Sequence, residues 1–252
     1  MRRLSVRLGL LTCFALFAVR CGSPTTPASY TTTWQFLVAN VAPGNATPNQ
    51  YSFTVSSPTT IFVVLVSATS QATGAPLSTP LLVGFGTPSG STCAATGTQD
   101  AAPALTGGIM KSVSPGTYCV SVVDDGSLPE PVTAAVRILA ETGTVPTTPT
   151  QQTDIFSSEL TLNGSAMHTF GNAVTGSLSL LLSNAGGSDK VVRVGLGAWD
   201  GSACRLYTTV DTSAGSATQL TATADPSVYC TTVADIGNLT GPVPFSVTIT
   251  HN

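Results

Sequence analysis

Tyr118-Cys119-Val120-Ser121-Val122-Val123-Asp124 recurs in this chain as Tyr229-Cys230-Thr231-Thr232-Val233-Ala234-Asp235, 111 residues further on. The same offset relates Gly84-Phe85-Gly86 to Gly195-Leu196-Gly197, Cys93 to Cys204, and Pro131-Val132 to Pro242-Val243. A fixed internal offset of this size is the mark of two units built on one plan. It also carries a strand register. Val132, Ala134, Val136 and Ile138 match Val243, Phe245, Val247 and Ile249 one for one, each set lying on one face of an extended segment.

Around these anchors the chain reads as short strands separated by Gly and Pro. Tyr51-Ser52-Phe53-Thr54-Val55 alternates large apolar with small polar residues, the period of a half-buried strand. Thr59 to Val66 is a β-branched apolar run, expected to be more central. Further strands are expected at Trp34–Val38, Leu81–Val83, Pro103–Leu105, Ile109–Val113, Phe156–Leu162, Ala166–Phe170, Ser177–Ser183, Val191–Val194, Cys204–Tyr207 and Thr218–Thr223. Trp199 falls in a loop-like segment, Gly197-Ala198-Trp199-Asp200-Gly201. No stretch of either unit has the period of a long amphipathic helix. The expectation is all-β: two tandem antiparallel β-sandwich domains of jelly-roll-like form. Residues 33–140 form the first and 155–252 the second. A Thr/Pro-rich linker over 141–154 joins them.

The N-terminus is different in kind. Met1 to Arg7 is basic, and Leu8 to Val19 is an apolar run too short to span a bilayer but long enough for a signal-peptide core. Residues 1–20 are therefore read as a signal peptide and 21–32 as a Ser/Thr/Pro tether. Cys21, followed by Gly22-Ser23-Pro24, resembles the acylated first residue of a bacterial lipoprotein, although Arg20 stands where that pattern has a small residue. The resemblance implies a lipid bilayer as partner, and an outer-membrane or cell-surface location; without acylation the expectation is secretion or the periplasm. Removing the leader takes four of nine basic residues and leaves five against 12 acidic, a formal net of −7. That balance excludes a basic nucleic-acid surface.

Six cysteines are present. Cys13 goes with the leader and Cys21 with the lipid. Of the three pairings open to the other four, repeat symmetry selects Cys93–Cys119 and Cys204–Cys230, each closing a 26-residue span within its own unit. Strand parity places Tyr118 and Tyr229 inward and the cysteines outward. Thiol metal binding is not expected, because no close Cys-x-x-Cys pair exists.

Motifs for chemistry are sparse. Gly-x-Ser-x-Gly, His-Glu-x-x-His and a phosphate-cradling loop are absent. His168 and His251 are not repeated between units and read as surface or packed residues. Asp124, Asp125 and Asp235 end equivalent strands before glycine-containing turns; they could ligate calcium or cap their own turns. No other cofactor is expected. Trp199, with Tyr207 near it, could form a carbohydrate platform or cover one end of a sandwich.

At Pro115-Gly116-Thr117-Tyr118-Cys119-Val120-Ser121-Val122 the chain resembles the bacterial pre-peptidase C-terminal domain group, through Gly116, Tyr118 and Val122. In the second unit Ser227 replaces the glycine. Members of that group are β-sandwich modules of secreted proteins, usually beside a peptidase, which this chain lacks. The resemblance implies an accessory, adhesive or folding-assistance module. The functional expectation is a non-catalytic structural or binding module whose partner is an envelope protein or glycan. The alternatives are a carbohydrate- or calcium-binding accessory domain, and a hydrolase of unrecognised type.

Overall fold

The computed structural model describes residues 31–143, 150–187 and 189–252. Residues 1–20, read above as a signal peptide, Cys21 and the centre of the linker lie outside them. Sixteen strands are seen, and no helix among the described residues. In the first unit they are β1 (Thr31–Val41), β2 (Asn49–Val55), β3 (Thr59–Ser70), β4 (Leu81–Ser89), β5 (Thr92–Ala101), β6 (Ile109–Val113), β7 (Gly116–Val123) and β8 (Val132–Thr142). In the second they are β9 (Gln152–Leu160), β10 (Ser165–Asn172), β11 (Gly176–Ala185), β12 (Val191–Trp199), β13 (Cys204–Ser213), β14 (Leu220–Ala224), β15 (Ser227–Ala234) and β16 (Val243–His251).

Each unit packs two four-stranded antiparallel sheets. The first has orders β1-β8-β3-β6 and β2-β7-β4-β5; the second has β9-β16-β11-β14 and β10-β15-β12-β13. Strand for strand these are one topology used twice, the eight-stranded double-sheet order of a jelly roll. The register taken from the repeat holds. Val132, Ala134, Val136 and Ile138, and Val243, Phe245, Val247 and Ile249, are all buried facing their own cores.

Several boundaries differ from the sequence reading. The strands β1, β8 and β9 each extend two or three residues into the tether or the linker, because edge pairing continues as long as the partner strand offers backbone groups. Thr31 pairs with Thr142, and Gln152 with His251. Pro103–Leu105 is a loop, since Pro103 cannot donate to a ladder. Trp199 ends β12, opposite Cys204, rather than lying in a loop.

The outward cysteines are buried all the same: Cys119 is 1% and Cys230 0% exposed. The cause is a bulge shared by both units. Between Phe85 and Gly86, and between Leu196 and Gly197, the register slips by one residue, so the hairpin bends over the outer face of its sheet. Cys93 then bonds Cys119, with Cα atoms 5.7 Å apart, and Cys204 bonds Cys230 at 5.8 Å.

The second glycine of each Gly-x-Gly makes the fold-over possible. A Cβ on Gly86 would lie 1.9 Å from the carbonyl oxygen of Ala94, and one on Gly197 would lie 2.3 Å from that of Arg205. Neither obstacle is a side chain that can swing away. Gly197→Ala is expected to lower stability by about 1–3 kcal/mol through overpacking. Gly171→Ala, on β10 with nothing within 4 Å, should stay within about 0.5 kcal/mol of the parent. Thermal unfolding of the two variants side by side measures this.

The units are not beads on a string. Strand β3 is buried on both faces: Ile61, Val63 and Leu65 belong to the first core, while Val64 and Val66 belong to the second unit's cluster with Ala135 and Leu105. Double burial explains why Thr59–Val66 reads as a continuous apolar run instead of alternating. At the centre of the contact lies Arg137, fully buried on β8. Its Nη1 donates to the Tyr229 hydroxyl at 2.7 Å and its Nη2 to the Leu105 carbonyl at 2.9 Å, with Asp225 Oδ2 at 3.6 Å from Nη2. Tyr229 donates in turn to the Asp225 carbonyl at 2.7 Å, and Asp225 N–H to the Leu105 carbonyl at 3.2 Å. Burial pushes the Asp225 carboxyl above its ordinary value, with Arg137 pulling against that rise.

Candidate functional site

The acidic pair at the strand ends is turn-capping in geometry. Asp124 Oδ1 accepts the backbone N–H groups of Gly126, Ser127 and Leu128, and Oδ2 accepts that of Gly44 at 2.7 Å. Asp235 repeats the arrangement with Gly237, Asn238 and Leu239 on Oδ1 and Asn163 on Oδ2 at 2.8 Å. Each carboxylate thus ties the loop after β7 or β15 to the turn after β1 or β9. The tied turn needs a left-handed residue, Gly44 in one unit and Asn163 in the other. Asp125 Oδ1 takes the Ser127 N–H at 2.9 Å. The N–H of Asn163 and its companions hold the Asp235 carboxyl below its ordinary value; at Asp124 desolvation opposes the charge, and the N–H groups led by Gly44 outweigh it.

Trp199 and Tyr207 part company. Trp199 is half-buried at the end of β12, beside a loop braced by Asp200. Tyr207 is the extra residue of the β13 bulge. It faces the other unit and lines an inter-unit cavity of about 270 Å³ with Pro76, Leu77 and Pro103. Pro76 and Leu77 belong to the loop that makes the first unit about five residues longer here than the second. That extra length forms a wall against its neighbour. Ser67 adds a cross-unit bond, its hydroxyl donating to the Leu206 carbonyl at 2.6 Å.

Asp200 was not singled out by the sequence. Its Oδ1 accepts from the N–H of Ser202 and Ala203 and from the Ser202 hydroxyl, and its Oδ2 from Arg205 at 2.6 Å. Desolvation opposes the charge, but these donors outweigh it and hold the carboxyl at about 2. The folded value lies below the unfolded one, so the contribution is present above the ordinary carboxylate range and disappears as pH falls through about 2. Asp200→Asn should therefore lower stability at neutral pH, with the gap to the parent closing in acid. Urea unfolding at a series of pH values reads it directly.

The histidines are the larger surprise. His251 closes β16 and His168 lies on β10, 83 positions apart in the chain, yet both imidazoles address Asp154 of β9. His251 Nε2 is 3.4 Å, and His168 Nε2 3.9 Å, from the same Asp154 Oδ2. His251 is 3% exposed, and neither of its ring nitrogens has a hydrogen-bond partner. Phe156 stacks on His168 at 5.3 Å, and Phe170 lies 5.3 Å from His251. The first unit is open at the corresponding mouth, where Thr33, Gln35, Phe53, Ile138 and Ala140 line a cavity of about 270 Å³. Sequence reading missed the cluster because the histidines are unrepeated. The available signal was their strand parity: His168 shares a face with Phe170, and His251 with Ile249.

No protein-family model matches the chain, and no curated protein matches it. Solved structures similar to it include one from Sulfolobus Turreted Icosahedral Virus, at 12% identity over 97% of this chain and 99% of that one, with a TM-score of 0.25. A conserved protein of unknown function from Pseudomonas aeruginosa is 8% identical over 87% and 82%, with a TM-score of 0.23. A Paenibacillus xanthan lyase is 13% identical over 88% of this chain and 25% of that one, with a TM-score of 0.27. Such scores carry no argument about function. What stands is a generic all-β tandem fold without a specific family.

Proposed function

We propose that this chain is a non-catalytic structural or binding module of a bacterial envelope, anchored through an acylated Cys21 and resembling tandem pre-peptidase C-terminal domains. What supports the reading is the use to which the body's prominent polar residues are put. Asp124, Asp235, Asp200 and Arg137 each spend their hydrogen bonds on bracing loops or joining the two units. Rigidity of this kind suits a spacer or adhesive element that presents surface to an envelope protein or glycan. The anchor is read from the N-terminal sequence alone: a short apolar core, then Cys21, which would bear the lipid, and a Ser/Thr/Pro tether. A single acyl chain holds a soluble body only marginally, and two or more hold it stably.

The test is metabolic labelling of the full chain with a radioactive or alkyne-bearing fatty acid in a bacterial host, followed by membrane fractionation. The parent should take up label and sediment with membranes. Cys21→Ser should lose the label and appear in the soluble fraction. An unlabelled parent would remove the anchor from the reading. Cross-linking of the labelled parent on intact cells then identifies what the body touches.

A further inference from the structure

Inward-facing positions change character at one end of the first sandwich. Along β1 the residues turned toward the core run Val41, Ala39, Leu37, then Gln35 and Thr33; the first three are buried and the last two exposed. The change from apolar to polar comes where the two sheets part, and there Gln35 and Thr33 line the cavity of about 270 Å³. Its floor is apolar, made by Phe53 of β2, Ile61 of β3 and Ile138 of β8. The Phe53 ring is braced by Phe85 and Tyr118, with centroids 6.4 and 6.2 Å away. Its rim is hydroxyl and amide: Thr33, Gln35, and Ser56 and Ser57 of the turn between β2 and β3.

In the second unit the same space is filled. Thr33 faces Ala140 as Gln152 faces His251, Gln35 faces Ile138 as Asp154 faces Ile249, and Phe53 faces Tyr118 as Phe170 faces Tyr229. Where the first unit has only the methyl group of Ala140, the second has the imidazole of His251. That ring is 3% exposed, lies 5.3 Å from the Phe170 ring, and has its Nε2 3.4 Å from Asp154 Oδ2. The next residue, Asn252, ties the same end together, its N–H donating to Asn172 Oδ1 at 2.9 Å and its Nδ2 to the Ser177 carbonyl at 3.1 Å. One topology therefore carries an open mouth in one copy and a plugged mouth in the other, and alanine against histidine is the largest difference in volume between them.

We propose that the open mouth of the first sandwich binds a single neutral sugar ring, either a free monosaccharide or the terminal residue of a glycan. The proposal rests on the binding-module reading above and gives it a site. No side chain lining the cavity is ionisable, so a charged ligand finds no counter-charge there. A wholly apolar ligand would cover the rim and leave its polar groups without partners. Among the described residues the side chains of Thr33, Gln35, Ser56 and Ser57 hold no hydrogen bond, so their hydroxyls and amide are open to a ligand. The Thr59 hydroxyl is already spent on the Glu141 carbonyl at 2.6 Å. A sugar ring matches both halves of the site: its C–H face lies on Phe53, Ile61 and Ile138, and its hydroxyls, which both donate and accept, meet the rim. The volume suits one ring, since pockets for drug-sized ligands begin at about 300 Å³. A ring of about a dozen non-hydrogen atoms at ordinary ligand efficiency binds with a Kd of about 1–5 mM.

The experiment is saturation-transfer NMR on the full chain with the methyl glycosides of glucose, galactose, mannose and N-acetylglucosamine, and with glucuronate and glucosamine as charged counterparts. At least one neutral glycoside should receive magnetisation, more strongly than either charged sugar, and should shift the methyl signals of Thr33, Ile138 and Ala140. Repeating the titration with a tetrasaccharide of the sugar that binds separates the sources: equal or tighter binding assigns a glycan end, and loss of binding assigns the free monosaccharide. Gln35→Asp with Ala140→His copies the plug of the second unit. It should abolish transfer and keep the melting temperature near the parent's, because the sister unit holds both side chains at the same register. Gln35→Ala, at an exposed strand position, should weaken binding by about 2- to 10-fold, the worth of one hydrogen bond. Absence of transfer to every neutral glycoside overturns the proposal, as does a plugged variant or Gln35→Ala that binds as the parent does. Either result leaves the anchored-module reading to its own test, the label on Cys21 and the cross-links made on cells.

Discussion

Arg137→Met should destabilise the folded chain by about 3–5 kcal/mol, because it removes one member of a buried polar network and strands the others. Tyr229 loses the donor to its hydroxyl, the Leu105 carbonyl loses a charged partner, and the Asp225 carboxyl keeps its burial without its counter-charge. The loss should shrink in acid. Asp225 already has its folded value above the unfolded one through burial, and removing Arg137 raises it further. A group raised in this way penalises the fold at high pH, and the penalty lifts as pH falls and the carboxyl takes a proton. Denaturant unfolding should therefore show a larger deficit at pH 8 than at pH 5. Adding Asp225→Asn should recover a good part of it, since replacing both partners leaves no unpaired charge. An Arg137→Met variant as stable as the parent at both pH values would mean that the units do not depend on this contact.

The second large effect is expected at Cys204–Cys230. Closing 26 residues restricts the unfolded chain by about 3–4 kcal/mol in the chain-entropy account. Cys204→Ala with Cys230→Ala should lower stability by about that amount. The same pair of changes at Cys93 and Cys119 should act similarly, since the geometry is repeated. Limited proteolysis supplies the structural readout. Without its bridge the hairpin of β12 and β13 no longer lies fixed over the outer face of β15, so cleavage should appear first around Asp200–Arg205. Equal resistance of the oxidised parent and the double variant would show that the bulge and Gly197 hold the hairpin without help.

These two expectations differ in how far the sequence could have led to them. The disulfides were legible because they repeat: an offset carried by Cys93 and Cys204, Cys119 and Cys230 needs no knowledge of space. The same holds for the inward faces of β8 and β16, whose alternation survives in the residue types themselves. Asp124 and Asp235 were found for the same reason, as equal strand ends before equal turns. Arg137 is the opposite case. Its repeat partner is Thr248, half-buried on β16, and nothing local marks an arginine between Val136 and Ile138 as the centre of an interface. Leu105 was missed too, read as part of a strand when it is the loop residue that enters the second unit's core.

By itself, the sequence determined a doubled all-β chain, the strand faces and two within-unit bridges, because strand period, turn chemistry and an internal repeat are properties of neighbours along the chain. Only the tertiary structure decided that the two sandwiches share a buried contact through Arg137, and that His168, His251 and Asp154 meet at one mouth. Those contacts join residues far apart in sequence, and they exist where the two units differ, so neither periodicity nor repetition could announce them.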